Sequence, residues 1–291
     1  MNAVSDKVSV IIVTHNSEAV LPGCLDSLKA ALGRVTCEVI IVDNNSSDRS
    51  VAVARQSFPS AVILDNNQNR GFAAACNQGA EKADGEFLLF INPDLELDAD
   101  AVDCLRVEFN RHSTAGLVAG RLRFENGSFQ PSCRNLPTVR NLLFSRGSFL
   151  AGFLGRVQSR ERSDYTLPDF QETTVVPAVA GTMFMVRSEC FRQINGFDSR
   201  FFMFMEDTDL SSRMTQSGYD NLFVPTAGAI HRWGKGSSTG RLKRKLYHHL
   251  SLWKYFWKHH NRVFSLLLLP WLLMLNFLLA AMLPDRKTAR S

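Results

Sequence analysis

The chain has 291 residues, of which 45% are apolar and 21% charged, a balance that excludes disordered, collagen-like and coiled-coil proteins and allows a full hydrophobic core. The net charge is +5, yet nine Lys and Arg residues between Asn221 and Pro284 stand without a single Asp or Glu. The C-terminal quarter is therefore a basic segment, suited to nucleic acid, anionic lipid or a phosphorylated substrate.

The opening residues lack the charged start, long apolar run and small-residue cleavage site of a signal peptide. VSVIIVTH (8–15) reads instead as a strand, and CEVIIVDNN (37–45) and EFLLFIN (86–92) repeat the pattern. Helix-compatible stretches lie between them, at about 18–32, 48–58 and 72–83. This alternation predicts βαβ units and a parallel sheet covered on both faces. Such sheets bind ligands at the carboxyl ends of their strands, and there the polar residues gather: Thr14, His15 and Asn16, then Asp43, Asn44 and Asn45, then Asn92 and Asp94. A helix over 98–111, a short strand at 117–119 and a hairpin at Asn126-Gly127 follow. Residues 131–172 show no regular pattern and carry Arg134, Arg140, Arg146, Arg156, Arg160 and Arg162. Beyond them come a strand and helix stopped by Gly196, then an acidic helix start closed by Gly218.

In LKRKLYHHLSLWKYFWKHH, Leu242, Leu246, Leu250, Trp253 and Trp257 recur at steps of three and four, which predicts a basic helix lying at a membrane surface. Residues 263–283 carry no charge and would make a helix about 31 Å long, near the thickness of a bilayer core; Pro270 and Asn276 interrupt the run. A membrane segment, either spanning or re-entrant, is expected here, with a helix docked on a soluble domain as the alternative. The Lys and Arg residues before it place the preceding domain on the cytoplasmic face of the inner (plasma) membrane. Because they border an apolar run rather than a polar groove, nucleic acid is not an expected partner. The expected division is a catalytic domain at 1–240 and a membrane-associating helical segment at 241–291. Six cysteines without metal-ligand spacing read as reduced thiols.

Familiar phosphate motifs are absent. No GxGxxG follows the first strand, and GAIHRWGKG imitates a P-loop but places Gly236 where Ser or Thr belongs. Asp43 can accept from a nucleobase or ribose, or cap the helix that follows. Arg70 and Gly71 open a helix, where N–H groups favour phosphate, although Gly71 also suits a simple turn. Pro93 stops the third strand so that Asp94 can face a divalent cation holding a diphosphate, or merely form the exit turn. In FMEDTDL, the acids Glu206, Asp207 and Asp209 suit a helix N-terminus. The Phe and Met residues before them suggest an acid beside an apolar wall, as a general base requires. His231, followed by a basic glycine-rich loop, is a candidate contact for metal or diphosphate.

Taken in order, VSVIIVTHNS, VIIVDNNSSD, NRGFAAACNQG, LLFINPDLEL, VAGTMFMVR, GFDSRFFMFMEDTDLSSRM and HRWGKGSS resemble the family 2 glycosyltransferases, inverting enzymes of the α/β GT-A fold, in the branch of bacterial rhamnosyltransferases that build surface polysaccharide. The resemblance spans about 8–238. It implies a mostly parallel central sheet with flanking helices, and a nucleotide-sugar donor over its first half. Thr14 and Asn16 would lie near the nucleotide, Asp43 on the base, Arg70 and the Lys235 loop near the diphosphate, and Asp94 on Mg²⁺ or Mn²⁺ with help from His231. Ala180, Gly181 and Thr182 would line the sugar and acceptor site. Asp207 would be the catalytic base, with Glu206 as its neighbour. Two departures stand out: Asn92 occupies the first acid position of the usual DxD, and His15 replaces an aromatic residue. The implied reaction moves a sugar, L-rhamnose from a thymidine diphosphate donor by preference, to a hydroxyl of a polyprenyl-diphosphate-linked or polysaccharide acceptor. A membrane-anchored scaffold on the same fold, without turnover, is the main alternative. A nucleotidyltransferase would show a Gly-rich basic loop that VTHNSEAVLPG lacks.

Overall fold

Val8–Thr14 (β1) is buried at every position, the pattern of a strand covered on both faces. In the computed structural model, Val8, Val10 and Ile12 enter one core cluster and Ile11 and Val13 another, as the two-residue period of a strand dictates. The structure describes residues 6–33, 35–138, 165–232, 240–260 and 262–282. Two compact units are distinguished, residues 1–136 with 166–238, and residues 137–165 with 239–291.

In the first unit, β1 is followed by α1 (Leu21–Leu32), β2 (Cys37–Asp43), α2 (Ser50–Ser57), β3 (Val62–Asp65), α3 (Phe72–Lys82) and β4 (Phe87–Ile91). β1 pairs in parallel with β2 and β4, and β2 with β3, giving the expected βαβ units. After β4 come β5 (Leu95–Leu97), α4 (Ala101–Arg111), β6 (Ala115–Arg123), β7 (Phe129–Gln130), β8 (Cys133–Arg134), β9 (Thr174–Val175), β10 (Ala178–Val179), β11 (Met183–Arg187), α5 (Ser188–Gln193), α6 (Glu206–Gln216) and β12 (Asp220–His231). The strand order is β3-β2-β1-β4-β11-β6-β12-β5.

The central sheet is mostly parallel, as expected, with short antiparallel additions at β7 and β9 and two antiparallel strands within its main order. β11 runs antiparallel to β4 and β6, and β5 antiparallel to β12. β12, twelve residues long, is a strand the sequence pattern did not signal. The register shifts between Val224 and Gly228, around Pro225, and such a bulge is where a strand tolerates Pro. The Asn126-Gly127 hairpin forms as expected, with Gly127 at φ 79°. Within the irregular stretch, β8 pairs with β10; residues 139–164, including Arg140, Arg146, Arg156, Arg160 and Arg162, lie outside the described residues.

The second unit contains α7 (Arg241–His259), α8 (Arg262–Leu267) and α9 (Leu269–Met282), packed on one another. Trp253 Nε1 donates to the Ser265 carbonyl at 2.9 Å. Leu242, Leu246 and Leu250 are exposed on α7, whereas Leu252, Tyr255 and Phe256 are buried. The uncharged run is two helices rather than one, because the chain breaks at Leu268. Pro270 interrupts the run as expected: the helix before it ends at Leu267, since Pro cannot continue it, and Pro270 then sits in the first turn of α9, where a missing N–H is harmless; Asn276 does not interrupt the run and lies within that helix. No helix among the described residues is long and apolar enough to cross a membrane; the 14 residues of α9 extend only about 21 Å.

Candidate active site

The carboxyl ends of β1 and β2 are stitched together by short polar side chains. Thr14 Oγ1 donates to Asp43 Oδ1 at 2.8 Å, and Ser46 donates to the same carboxylate from its hydroxyl (2.6 Å) and its backbone N–H (2.7 Å). Ser46 Oγ accepts from the Asn16 N–H, and Asn16 Oδ1 accepts from the Ser47 N–H. Asn16 and Asn45 hold φ of 53° and 65°, a region Asn tolerates better than most residues. The helix-capping alternative for Asp43 is not realised: its carboxylate closes a turn with Ser46, and the Ser50 N–H at the start of α2 donates instead to Asp48 Oδ1. His15 lies at the same strand end, with its Nδ1 buried and without a hydrogen-bond partner among the described residues.

Asn44 carries the connection onward. Its Nδ2 donates to the Gly71 carbonyl, and its Oδ1 accepts from the Arg70 N–H. Gly71 has φ +83°, and a Cβ there would come within 2.5 Å of the Phe202 carbonyl oxygen, so glycine is required for both conformation and space. The first N–H groups of α3 are already engaged, Gly71 by Asn69 Oδ1 and Phe72 by the Phe202 carbonyl. This start of α3 therefore serves as a tether as well as a candidate phosphate site, while the Arg70 side chain is exposed.

At the end of β4, the Asn92 N–H donates to the Thr182 carbonyl. Asp94 is buried, and its Oδ1 lies 3.4 Å from His231 Nε2. The other ring nitrogen of His231 lies 2.9 Å from Gln130 Nε2, and Gln130 Oε1 is buried without a partner among the described residues. Since the two ends of an amide are exchanged by a half-turn, Gln130 can present either atom to Nδ1. Cys24 donates to the Asn92 carbonyl; burial and then the Asp94 charge push its thiol up to about 12, so it remains a thiol and not a thiolate ligand. Among the described residues no three His, Cys, Asp or Glu side chains converge as a metal cluster. Lys235 lies outside the described residues.

Glu206 and Asp207 open α6 after two consecutive left-handed residues, Phe204 (φ 70°) and Met205 (φ 68°). Strain of this kind costs about 1–2 kcal/mol per residue and concentrates where a side chain must be aimed. Asp207 Oδ2 accepts from the Gly181 N–H at 2.8 Å and pairs with Arg134 Nη2 at 2.5 Å, while its Oδ1 accepts from the Thr208 N–H at 2.6 Å. A Cβ on Gly181 would lie 3.2 Å from that of Asp207, so the two backbones pack closely at this point. The acid against the apolar wall is Glu206. Burial, followed by the neighbouring Asp207 charge, pushes its carboxyl up to about 8, so it is largely protonated at neutral pH. Asp209 is fully buried and bound to Arg213, a structural pair.

The fold thus links the Thr14–Asp43 cluster, the start of α3, the Asn92–Asp94 turn, Ala180–Gly181–Thr182 and Glu206–Asp207 along the carboxyl edge of one sheet. Sequence reasoning missed Ser46, Gln130, Phe202 and the pairing of Arg134 with Asp207. Arg134 stood out only as one of many arginines, and Gln130 gave no local signal, because its partner lies on β12.

A model of glycosyl transferase family 2 matches residues 9–194, and one described as the N-terminal domain of galactosyltransferase matches residues 161–248. The N-acetylglucosaminyl-diphospho-decaprenol L-rhamnosyltransferase of Mycobacterium tuberculosis is 30% identical over 253 residues, covering 81% of this chain and 79% of that protein. Rhamnosyltransferase WbbL of Escherichia coli K12 is 29% identical over 234 residues, covering 77% and 83%. Among solved structures, a mannosyltransferase from Pyrobaculum calidifontis in complex with GDP-Man and Mn²⁺ superimposes with a TM-score of 0.56 at 18% identity, over 94% of this chain and 73% of that one. The fold is of the GT-A type.

Proposed function

This chain belongs to glycosyl transferase family 2, and we propose that within it the protein transfers L-rhamnose from thymidine diphosphate rhamnose, with inversion, to a hydroxyl of a polyprenyl-diphosphate-linked or polysaccharide acceptor. The observation that carries the reading is the tie between two acids. Asp207 bonds the Gly181 N–H, and the next residue, Thr182, receives the N–H of Asn92, two positions before Asp94.

The residues around Asp94 fit a hard divalent cation. Asp94 offers carboxylate oxygen and His231 an imidazole nitrogen, and Gln130 on the second ring nitrogen is the kind of partner that fixes a metal-bound imidazole. With Asn92 in place of another acid, diphosphate oxygens and water would complete the shell. Bound there, Mg²⁺ or Mn²⁺ would neutralise charge on the departing diphosphate. Arg70 and Lys235 would add positive charge beside it. Three of the about four acceptor positions of Asp43 are filled by Thr14 and Ser46, and the fourth suits one N–H of the base; His15 and Asn16 flank it.

Asp207 removes the proton from the acceptor hydroxyl as that oxygen bonds to the anomeric carbon. The bond from that carbon to the diphosphate oxygen breaks on the opposite face, which inverts the configuration. Glu206, kept neutral, leaves a single negative charge facing the acceptor. The second unit would rest on the cytoplasmic face of the membrane, a reading supported by exposed Leu242, Leu246, Leu250, Trp271, Met274 and Leu275 beside basic residues.

The test is donor turnover across a panel of nucleotide sugars, with and without Mn²⁺. Release of thymidine diphosphate should require the cation and vanish in Asp94→Ala. Asp207→Asn should lower transfer by a factor on the order of 10²–10⁴ while nucleotide binding persists. Nucleotide-sugar binding without turnover on any donor and acceptor would favour the scaffold instead.

A further inference from the structure

Every acceptor position of the Asp207 carboxylate is filled. Oδ1 takes the Thr208 N–H (2.6 Å) and hydroxyl (3.2 Å), and Oδ2 takes the Gly181 N–H (2.8 Å) and Arg134 Nη2 (2.5 Å). A carboxylate offers about four lone-pair sites. A substrate hydroxyl can therefore reach Asp207 within hydrogen-bond distance, as proton removal demands, only after one donor has left. Two of the four are backbone N–H groups, which cannot leave without moving their elements, and the third is the hydroxyl of Thr208, whose side chain is fully buried and out of a substrate's reach. Arg134 is the exception: a long side chain, 26% exposed, carried on the two-residue strand β8.

We propose that Arg134 is a latch on the base, lifted by a phosphate group of the acceptor substrate. This rests on the reading of Asp207 as the base. A guanidinium exchanges a carboxylate most readily for an anion that can take two parallel N–H donors, and phosphate is such an anion. The assignment to the acceptor follows from position. Asp94 and His231 mark the donor diphosphate, whereas Arg134 sits on the base itself, where the attacking hydroxyl must arrive. An acceptor sugar attached to a prenyl diphosphate brings hydroxyl and phosphate together. Until it binds, Asp207 stays covered and water is not activated against the donor.

The experiment uses the full chain in detergent with Mg²⁺ and thymidine diphosphate. Calorimetry measures the affinity for farnesyl diphosphate, with farnesol as the uncharged control. The latch predicts changes of opposite sign: Arg134→Met weakens binding about tenfold, and Asp207→Asn strengthens it by a similar factor, since the anion no longer competes with the base. Arg134→Lys recovers part of the affinity, which separates lost charge from lost structure, and farnesol binding does not respond. Equal affinities in wild type, Arg134→Met and Asp207→Asn, or weakening in both variants, overturns the proposal. The opposite-sign pair appearing with thymidine diphosphate alone, and not with farnesyl diphosphate, also overturns it by giving Arg134 to the leaving group. Sugar transfer by Asp207→Asn is measured in parallel; persistent transfer would refute Asp207 as the base whatever the binding shows, so the two readings fail separately.

Discussion

Replacing Glu206 by Gln removes an ionisable group from the start of α6 while keeping its volume, and the consequence grows with pH. The folded protein raises the Glu206 carboxyl from 4.5 to about 8, through burial first and the Asp207 charge second. A carboxyl raised in the folded state stabilises fully only below its unfolded value, and that stability is lost as pH rises toward the folded value. Between about pH 5.5 and 7.5 the unfolded chain has released this proton and the folded one has kept it. Each pH unit then removes about 1.4 kcal/mol, or roughly 2.5 kcal/mol over the interval. Gln does not titrate, so the stability difference should shift in favour of Glu206→Gln by roughly that amount. Urea denaturation of both proteins at the two pH values measures it, and other groups cancel in the comparison. A difference independent of pH would refute the reasoning by showing Glu206 ionised in the folded protein. In an Asp207→Asn background the second cause of the shift is gone, and the gain should level off at lower pH.

Gln130→Met should weaken Mn²⁺ binding in the presence of thymidine diphosphate by roughly 10- to 100-fold, because the His231 ring then loses its Gln130 partner at Nδ1. Gln130→Glu, which can accept from Nδ1–H, should bind nearly as well as wild type; calorimetry decides, and unchanged affinity in Gln130→Met would remove Gln130 from the site. Converting the exposed Leu242, Leu246 and Leu250 together to Ser should lower binding to anionic liposomes by roughly a hundredfold or more, since each buried leucine contributes at least about 1.5 kcal/mol. Co-sedimentation at fixed salt measures this, and unchanged binding would assign that face elsewhere.

How far the sequence could be read depended on whether the deciding interaction was local. β1, β2 and β4 are short apolar runs ending in polar residues, and that pattern alone located them and the strand ends where Thr14, Asp43 and Asp94 lie. β12 was illegible because Pro225 reads as a strand breaker unless the bulge at Val224–Gly228 is known. The acids of FMED were visible, but not which of them is buried and which is paired, because Arg134 arrives from β8. Gln130 and His231, 101 positions apart, meet only through the sheet.

The turn before Asp207 shows why tertiary contacts decide this site. Phe204 and Met205 both hold positive φ without a Gly or Asn between Phe201 and Asp207, so local preference opposes the turn. What opposes that preference is the contact with α3, where the Phe202 carbonyl accepts the Phe72 N–H at 3.0 Å over the bare backbone of Gly71. Gly71 is also tied to Asn44, beside Asp43, so the Thr14–Asp43 cluster and the turn before Asp207 share one anchor. Gly71→Ala should therefore destabilise the protein by roughly 2 kcal/mol or more, from its φ and the collision with Phe202. It should also weaken nucleotide affinity and turnover together, unlike Asp207→Asn, which spares nucleotide binding. Urea denaturation, nucleotide calorimetry and donor turnover on the one variant test this. If turnover fell while affinity and stability held, the shared anchor would be wrong, and the turn before Asp207 would have to be held from the α6 side alone.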